Sequence, residues 1–216
     1  MLNYMAVKAC IFDMDGVIVD TAKFHFKAWQ RLAESLGIPF TEHQNEQLKG
    51  VSRVDSLEKI LAWGNLELNS QKKIELMELK NKWYLDFVAE VTPEDMLPGT
   101  FDFLKSCNEA GVKIALGSSS KNAILILEKL QIIHFFDSIV DGNKITLSKP
   151  NPEVFLRAAR EMELEPAECV VFEDAISGVD AAKSGGFRCI GIGDPQILSK
   201  ADRVVESLAD ILLSEL

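Results

Sequence analysis

The sequence predicts an α/β fold, in which a parallel five-stranded sheet is flanked by helices and an all-helical segment is inserted near its start. Five short apolar runs are typical of strands buried on both faces, and segments with a helical repeat of apolar residues separate them. A long stretch, residues 21–92, contains helical repeats but no convincing strand. Strands that alternate with helices form parallel sheets with right-handed crossovers, so the predicted core is Rossmann-like.

Start and stop signals in the sequence agree with the predicted strands and helices. The five strands are Lys8–Asp13, Val112–Gly117, Ser138–Val140, Cys169–Glu173 and Arg188–Ile192. Ser120 is a candidate cap for the helix that follows the second strand. Pro150 and Pro152 lie where the next helix begins. Gly111 and Gly185-Gly186 follow predicted helix ends, where glycine is common.

The strandless stretch predicts an all-helical cap inserted after the first strand. Its helical repeats begin at Phe24, Val54 and Ile74. The turn residues Leu97-Pro98-Gly99 mark the return to the core. We therefore predict a first core segment at residues 1–19, a cap at 20–95 and a second core segment at 96–216.

Composition limits the functions that this chain can have. Its 216 residues, 47% of them apolar, suffice for one α/β core and a smaller insert. A net charge of −10 argues against a nucleic-acid surface but not against an anionic substrate held by a few cations. No apolar run is long enough to span a membrane. We expect a cytoplasmic monomer that binds a small molecule and neither nucleic acid nor membranes.

Two carboxylates follow the first predicted strand. Asp13 and Asp15 lie there in the segment Phe12–Val17, and Gly16 lets the backbone turn away. Parallel sheets bind ligands at the carboxyl ends of their strands, which favours a catalytic interpretation. The alternative is an aspartate-rich turn that only closes the strand. Calcium loops share this pattern, but no carboxylate follows at the spacing of an EF-hand.

Three further strand ends carry polar segments. Gly117–Asn122 begins a helix with hydroxyls and free N–H groups, which bind anions. Ser148–Pro150 supplies a lysine that can neutralise a phosphate, and Glu173-Asp174 supplies oxygen ligands suited to Mg²⁺. Each segment alone has an ordinary explanation, such as a capping serine, a surface lysine or an acidic helix start. Together with Asp13 and Asp15, they predict a Mg²⁺-dependent phosphoryl-transfer site.

These four segments, in this order, resemble the four motifs of the haloacid dehalogenase superfamily. Asp13-Met14-Asp15-Gly16-Val17 matches the first motif, Ser118 the second, Lys149 the third and Glu173-Asp174 the fourth. The resemblance covers nearly the whole chain. It implies that Asp13 is the nucleophile, that Asp15 is the general acid/base, and that Ser118 and Lys149 hold the transferring phosphoryl group. Mg²⁺ is expected on the Asp13 carboxylate, the Asp15 backbone carbonyl, Glu173 and Asp174.

The predicted cap resembles that of the β-phosphoglucomutase family within this superfamily. Residues 20–29, 45–57, 80–81 and 118–122 carry the resemblance, although Ser119 replaces the small residue usual at its position. That family converts β-glucose 1-phosphate to glucose 6-phosphate through β-glucose 1,6-bisphosphate. The resemblance implies a phosphorylated sugar as substrate. The implied substrate-binding residues are Thr21, His25, Trp29, Lys49, Gly50, Val51, Ser52, Arg53, Ser56, Lys80, Ser119, Ser120, Lys121 and Asn122.

Alternatives stay open at this point. Arg53 is a candidate for a second, remote phosphate, but it equally fits a pair with Asp55 or a surface carboxylate. His25 fits a helix surface and Trp29 fits plain core packing. The four core motifs do not separate a mutase from a sugar-phosphate or nucleotide phosphatase, in which water replaces the second hydroxyl. A non-catalytic binding protein on the same scaffold is the alternative of another class.

Overall fold

A computed structural model describes residues 7–216, and its core is a parallel sheet of six strands. The strands are β1 (Ala9–Phe12), β2 (Lys113–Gly117), β3 (Ser138–Val140), β4 (Cys169–Glu173), β5 (Arg188–Ile192) and β6 (Arg203–Val205). Their spatial order is β3-β2-β1-β4-β5-β6, and all neighbours are parallel. The strand β1, which precedes Asp13, is therefore central. Residues 1–6, which we assigned to the core, lie outside the described residues.

Eight α-helices accompany the sheet in the described part of the chain. They are α1 (Ala22–Ser35), α2 (Glu42–Glu46), α3 (Arg53–Trp63), α4 (Ser70–Val88), α5 (Thr100–Glu109), α6 (Ala123–Lys129), α7 (Glu153–Glu161) and α8 (Ile176–Ser184). Short 3₁₀ helices span Pro93–Asp95, Ile133–Phe135, Pro166–Glu168, Leu208–Asp210 and Leu213–Glu215.

The sheet is buried on both faces, which explains its nearly continuous apolar runs. Cys10 and Phe12 of β1 belong to one buried cluster, together with Phe103 of α5. Ala9 and Ile11, which point the opposite way, belong to a second cluster with α7 and α8. Helices therefore cover both sides of the sheet, as the alternating pattern predicted.

The predicted fold is confirmed, with small differences at its weakest elements. A sixth strand follows the five predicted ones; β6 is only three residues long and partly exposed, so its apolar signal is small. The helix α2 was also not predicted, because its five residues are polar and none is buried. The prediction that Ser120 caps a helix was wrong. The helix α6 begins at Ala123, and the Ser120 hydroxyl instead accepts from the Asn122 N–H at 3.3 Å, within the preceding turn.

The segment between β1 and β2 begins with the helices α1–α4, of which α1, α3 and α4 share an apolar core of their own. Trp29 and Leu32 of α1 pack there with Leu57 and Ile60 of α3 and with Leu76 of α4. Among residues 7–216, no helix combines the length and the apolar character needed to cross a membrane.

The two ends of the helical insert lie side by side. Val19 and Met96 form an antiparallel bridge, and the Leu97 N–H donates to the Ile18 carbonyl at 2.9 Å. This pairing supports cap limits at residues 20 and 95, which we propose as the domain boundaries.

Candidate active site

Polar residues meet at the carboxyl edge of the sheet. Asp13 and Ser118 directly follow the strands β1 and β2, and Glu173 is the last residue of β4; in the sheet, β2 and β4 lie on either side of β1. Because parallel strands end at the same edge, these residues lie close together. Lys149 comes from the loop after β3. All four side chains are buried; burial is unusual for the charged residues Asp13, Lys149 and Glu173, and it requires partners.

Lys149 is the cation of this cluster. Its ammonium donates to Asp13 Oδ1 at 2.6 Å and to Glu173 Oε1 at 2.5 Å. Burial alone lowers the pKa of Lys149, but these two carboxylates outweigh it and raise the pKa above its usual value. The lysine therefore stays protonated. Burial also raises the pKa of Glu173 to about 7, although Lys149 opposes this shift.

Three carboxylates form a candidate metal centre. Oxygen atoms of Asp13, Glu173 and Asp174 lie within 4.8 Å of one another. Burial, followed by the charges of Glu173 and Asp13, raises the pKa of Asp174 well above its usual value. A divalent cation would offset this repulsion, and hard carboxylate oxygens are the donors that Mg²⁺ prefers. The Asp15 side chain does not belong to this cluster. That the backbone carbonyl of Asp15 binds Mg²⁺ stays a prediction.

Two glycines make room for these carboxylates. A Cβ on Gly16 would overlap the Asp174 carboxylate, and a Cβ on Gly178 would overlap the Glu173 carboxylate. Gly16 also has a φ of +78°, a left-handed conformation that other residues rarely adopt. The donor set and the space around it therefore fit Mg²⁺.

Gly16→Ala is expected to weaken Mg²⁺ binding by about 10–100-fold, because the added methyl displaces Asp174. It should also lower the free energy of unfolding by ~1–3 kcal/mol through backbone strain and overlap. Isothermal titration with Mg²⁺ and urea unfolding measure the two effects. Gly111→Ala is the matched control, since Gly111 has a φ of +71° but no atom near its Cβ position. Equal Mg²⁺ affinities in the two variants would contradict the assignment of Asp174 as a ligand.

Asp15 faces the cap. Its Oδ2 lies 4.0 Å from His25 Nε2, while Oδ1 is buried without a hydrogen-bond partner among the described residues. Burial and the charge of Asp13 raise the pKa of Asp15 to about 7, against the opposing effect of Lys80. A carboxyl group that titrates near neutral pH can both donate and accept a proton.

His25 and Lys80 form a buried pair behind Asp15. Lys80 Nζ lies 2.7 Å from His25 Nδ1, and it also lies over the rings of Trp29 and Tyr84 at 4.6 and 4.8 Å. Burial, Lys80 and Arg53 lower the pKa of His25 well below its usual value, so the ring is neutral. His25 Nε2 is the ring nitrogen that faces Asp15, and it carries the ring proton in the tautomer whose Nδ1 accepts from Lys80. His25 is therefore not simply a surface histidine.

The segment Ser118–Asn122 lines the junction between core and cap. The Ser118 hydroxyl accepts from the Ser120 N–H at 3.1 Å, which tightens the turn. Ser119 Oγ donates to the carbonyl of Gly50 in the cap at 3.0 Å. Asn122 Nδ2 donates at 2.9 Å to Asn81 Oδ1, on the cap helix α4.

Arg53 donates to the same amide oxygen as Asn122. Its Nη2 lies 2.7 Å from Asn81 Oδ1. In the described part of the chain, Arg53 has no carboxylate within ion-pair distance, so the alternative pair with Asp55 is not formed. The asparagine thus orients a guanidinium whose charge is available to a ligand.

A cavity of about 490 Å³ lies between cap and core, within the size range of small-molecule sites. The predicted site residues that line it are Asp13, Asp15, His25, Trp29, Lys49, Gly50, Val51, Ser52, Arg53, Ser56, Lys80, Ser118, Ser119, Ser120, Lys121 and Asp174. Four predicted residues do not line it: Thr21, Asn122, Lys149 and Glu173. Thr21, Lys149 and Glu173 are buried.

Sequence reasoning missed several residues that line the cavity. They are Asn45, Leu48, Val54, Asp55, Ile74, Met77, Glu78, Gly142, Ile145, Thr146 and Ser148. Asn45, Leu48, Val54 and Asp55 belong to the segment 45–57, whose resemblance was noted as a whole. Met77 precedes Lys80 by one helical turn, a spacing that could have indicated it.

Comparison with known proteins identifies the same superfamily that the four sequence motifs resemble. The model of haloacid dehalogenase-like hydrolases matches residues 7–186. The chain is 45% identical to a β-phosphoglucomutase of Bacillus subtilis, over 96% of this chain and 92% of that protein. It is 34% identical to a phosphorylated carbohydrates phosphatase of Thermotoga maritima, over 85% and 84%. The structure of a β-phosphoglucomutase from Clostridium difficile superimposes with a TM-score of 0.94 at 40% identity, over 97% and 95% of the two chains. The chain therefore belongs to the haloacid dehalogenase-like hydrolase family, and it is similar to β-phosphoglucomutases over nearly its whole length.

Proposed function

We propose that this protein is a β-phosphoglucomutase, which interconverts β-glucose 1-phosphate and glucose 6-phosphate through an aspartyl phosphate and β-glucose 1,6-bisphosphate. The observation that supports this most is the cavity itself. Asp13 and Ser118 of the core line it, Lys149 bonds to Asp13, and the cap contributes Arg53, which has no ion-pair partner among residues 7–216, to the same space. A bisphosphorylated sugar needs such sites for two phosphates, whereas a simple phosphatase needs one.

In the proposed mechanism, the phosphorylated Asp13 faces a sugar hydroxyl. Asp15 takes the proton of that hydroxyl as its oxygen attacks phosphorus, and the bond between phosphorus and Asp13 breaks. The bisphosphate then rebinds with its other phosphate at Asp13. Asp13 attacks that phosphorus, and Asp15 returns its proton to the leaving sugar oxygen. This restores the aspartyl phosphate and yields the isomerised monophosphate.

The remaining residues stabilise the charges that meet at phosphorus. Lys149, Ser118 and the neighbouring N–H groups hold the equatorial oxygens of the phosphoryl group. Mg²⁺, held by Asp13, Glu173, Asp174 and the Asp15 carbonyl, supplies further positive charge when bound. His25, held by Lys80, orients Asp15. The closed cap keeps water from the aspartyl phosphate.

A sugar-phosphate phosphatase is the second candidate, because the Thermotoga maritima relative is named as a phosphatase of phosphorylated carbohydrates. Purified protein with Mg²⁺, β-glucose 1-phosphate and a trace of the 1,6-bisphosphate distinguishes the two. We expect glucose 6-phosphate to form rapidly, with little free phosphate. Phosphate release without glucose 6-phosphate would establish the phosphatase instead. Absence of phosphate on Asp13 would contradict both.

Arg53→Ala is expected to raise KM for β-glucose 1-phosphate by about 10–100-fold, because a charged hydrogen bond to the remote phosphate is lost. Phosphorylation of Asp13 by a small donor such as acetyl phosphate should persist, since that donor has no second phosphate. Steady-state kinetics and intact-protein mass measure the two quantities. Arg31→Ala is the matched control, because Arg31 lies over Trp83 outside the cavity. Equal losses in the turnover of β-glucose 1-phosphate and in the phosphorylation of Asp13 by acetyl phosphate would argue against a remote phosphate at Arg53.

A further inference from the structure

The first turn of the cap helix α3 is held by a reciprocal pair of hydrogen bonds. The Ser52 hydroxyl accepts from the Asp55 N–H at 3.1 Å and donates to Asp55 Oδ2 at 2.6 Å. This is a capping arrangement, which satisfies an N–H group that has no partner inside the helix. The next residue after Ser52 is Arg53, so the same turn carries the proposed remote phosphate ligand.

The same carboxylate oxygen also reaches the core. Ser148 Oγ donates to Asp55 Oδ2 at 2.7 Å. Ser148 precedes Lys149, whose ammonium bonds to Asp13. A single oxygen of Asp55 therefore joins the helix turn of Arg53 to the loop that carries the lysine of the reacting phosphate.

Asp55 is an unexpected residue at this place. It lines the cavity that we propose for two phosphates, where a carboxylate repels the ligand. Its bond to the hydroxyl of the N-cap residue Ser52 does not by itself require a charge, because the neutral amide oxygen of an asparagine also accepts hydrogen bonds. The contact with Ser148 supplies a reason for the charge, since bonds to ionised acceptors are about twice as strong as neutral ones.

Among residues 7–216, the other side-chain hydrogen bonds between cap and core have neutral acceptors, while one cap lysine, Lys49, lies 4.0 Å from the core carboxylate of Asp174. Ser119 and Ser177 donate to the backbone carbonyls of Gly50 and Lys49, so they do not depend on a particular cap side chain. The bond between Asn122 and Asn81 joins two neutral amides. Among these contacts, the one at Asp55 has the charged acceptor.

We propose, on the basis of the proposed function, that Asp55 is a positioning residue that holds the cap closed through Ser148 while Asp13 carries its phosphoryl group. The closed cap directs the phosphoryl group to a sugar hydroxyl and away from water. Release of the bond to Ser148 frees the cap to open and the bisphosphate to turn. The balance between isomerisation and hydrolysis thus depends on a contact that is remote from phosphorus.

Ser148→Ala tests this directly, because it removes the bond to the core and leaves the capping bonds of α3 in place. We expect the ratio of free phosphate to glucose 6-phosphate to rise about tenfold, because one charged hydrogen bond that stabilises the closed cap is lost. The melting temperature and the rate at which acetyl phosphate phosphorylates Asp13 should stay unchanged, which shows that Lys149 is undisturbed. Ser184→Ala is the control, since the Ser184 hydroxyl donates within its own helix, to Ala181 O, and has no other partner among residues 7–216. An unchanged ratio in Ser148→Ala would overturn the proposal.

A double-mutant cycle tests whether Asp55 acts through Ser148. Asp55→Ala should raise the product ratio as much as Ser148→Ala does, and the double variant should raise it no further. Asp55→Asn, which keeps an oxygen acceptor, should have a smaller effect. Effects that multiply in the double variant would show that Asp55 acts on its own and would overturn the proposal.

Small-angle X-ray scattering separates this proposal from the proposed function, because it requires no turnover. The substrate-free Ser148→Ala variant should have a larger radius of gyration than the wild type. If the wild type hydrolyses sugar phosphates without isomerising them, the mutase assignment fails, yet the scattering difference still supports the closing contact. Identical scattering of the two proteins would overturn that contact as a determinant of closure.

Discussion

Asp15→Asn is expected to lower kcat by about 10²–10⁴-fold, the usual contribution of general acid/base catalysis. An amide cannot take the proton of the attacking hydroxyl or return it to the leaving oxygen. Phosphorylation of Asp13 by acetyl phosphate should be reduced far less, because acetate is a good leaving group that needs little protonation. Burst kinetics and intact-protein mass measure both. Asp102→Asn, at an exposed site in the first turn of α5, is the control. Activity of Asp15→Asn near that of the wild type would rule out the role.

The same variant is expected to be more stable than the wild type above neutral pH. The pKa of Asp15 is raised from 3.8 to about 7 on folding, so the folded state binds a proton that the unfolded state lacks between these values. Stability therefore falls as pH rises through this range. The Asp15 side chain is 26% exposed, so solvent reduces the cost of its charge. We therefore expect Asp15→Asn to raise the free energy of unfolding by ~2 kcal/mol at pH 8, less than the full pKa shift implies. Near pH 4 we expect no change. Urea unfolding in metal-free buffer measures it. A variant less stable than the wild type at pH 8 would contradict the raised pKa.

Lys149→Met is expected to lose both activity and stability. Removal of the ammonium leaves Asp13 and Glu173 buried without their cation, which costs about 3–5 kcal/mol. We expect kcat to fall by about 10²–10³-fold, as for other groups that stabilise charge in the transition state. The pKa of Glu173, already about 7, rises further without Lys149. A raised acid pKa makes stability fall as pH rises, so the loss should be larger at pH 8 than at pH 6.

Lys200→Met is a matched control for this variant. The distance from Lys200 to Asp180 is 2.6 Å, as short as that from Lys149 to Asp13, but the Lys200 side chain is 67% exposed. Exposed pairs contribute about 0–1 kcal/mol, so its unfolding should change little at either pH. Similar losses in the two variants would mean that burial of Lys149 does not determine its effect.

The sequence predicts that the polar residues of the proposed site lie together, because the ends of parallel strands are constrained by topology. Asp13, Ser118 and Glu173 had to meet once their strands were assigned to one parallel sheet. The strands themselves were evident because burial on both faces requires continuous apolar runs. The strand β6 and the helix α2 lack that requirement, and they were missed.

The contacts between cap and core were not predictable in the same way. Ser148 and Asp55 are 93 residues apart, and both are common types on a protein surface. Their pairing depends on the closed position of the cap, which no local pattern specifies. Asn81 likewise gains its role only where α3 and α4 bring Arg53 beside Asn122. The resemblance indicated that residues in these segments matter, but it did not indicate which of them bond to each other.

The bridge between Val19 and Met96 has a consequence for how such proteins diversify. Because the inserted segment leaves the core and returns to it at the same point, another segment can replace it without moving the proposed nucleophile Asp13. Only a short turn is needed to join the two ends. Under the proposed function, the core supplies the aspartyl-phosphate chemistry and the cap the choice of substrate, so one part of the chain can change while the other is kept.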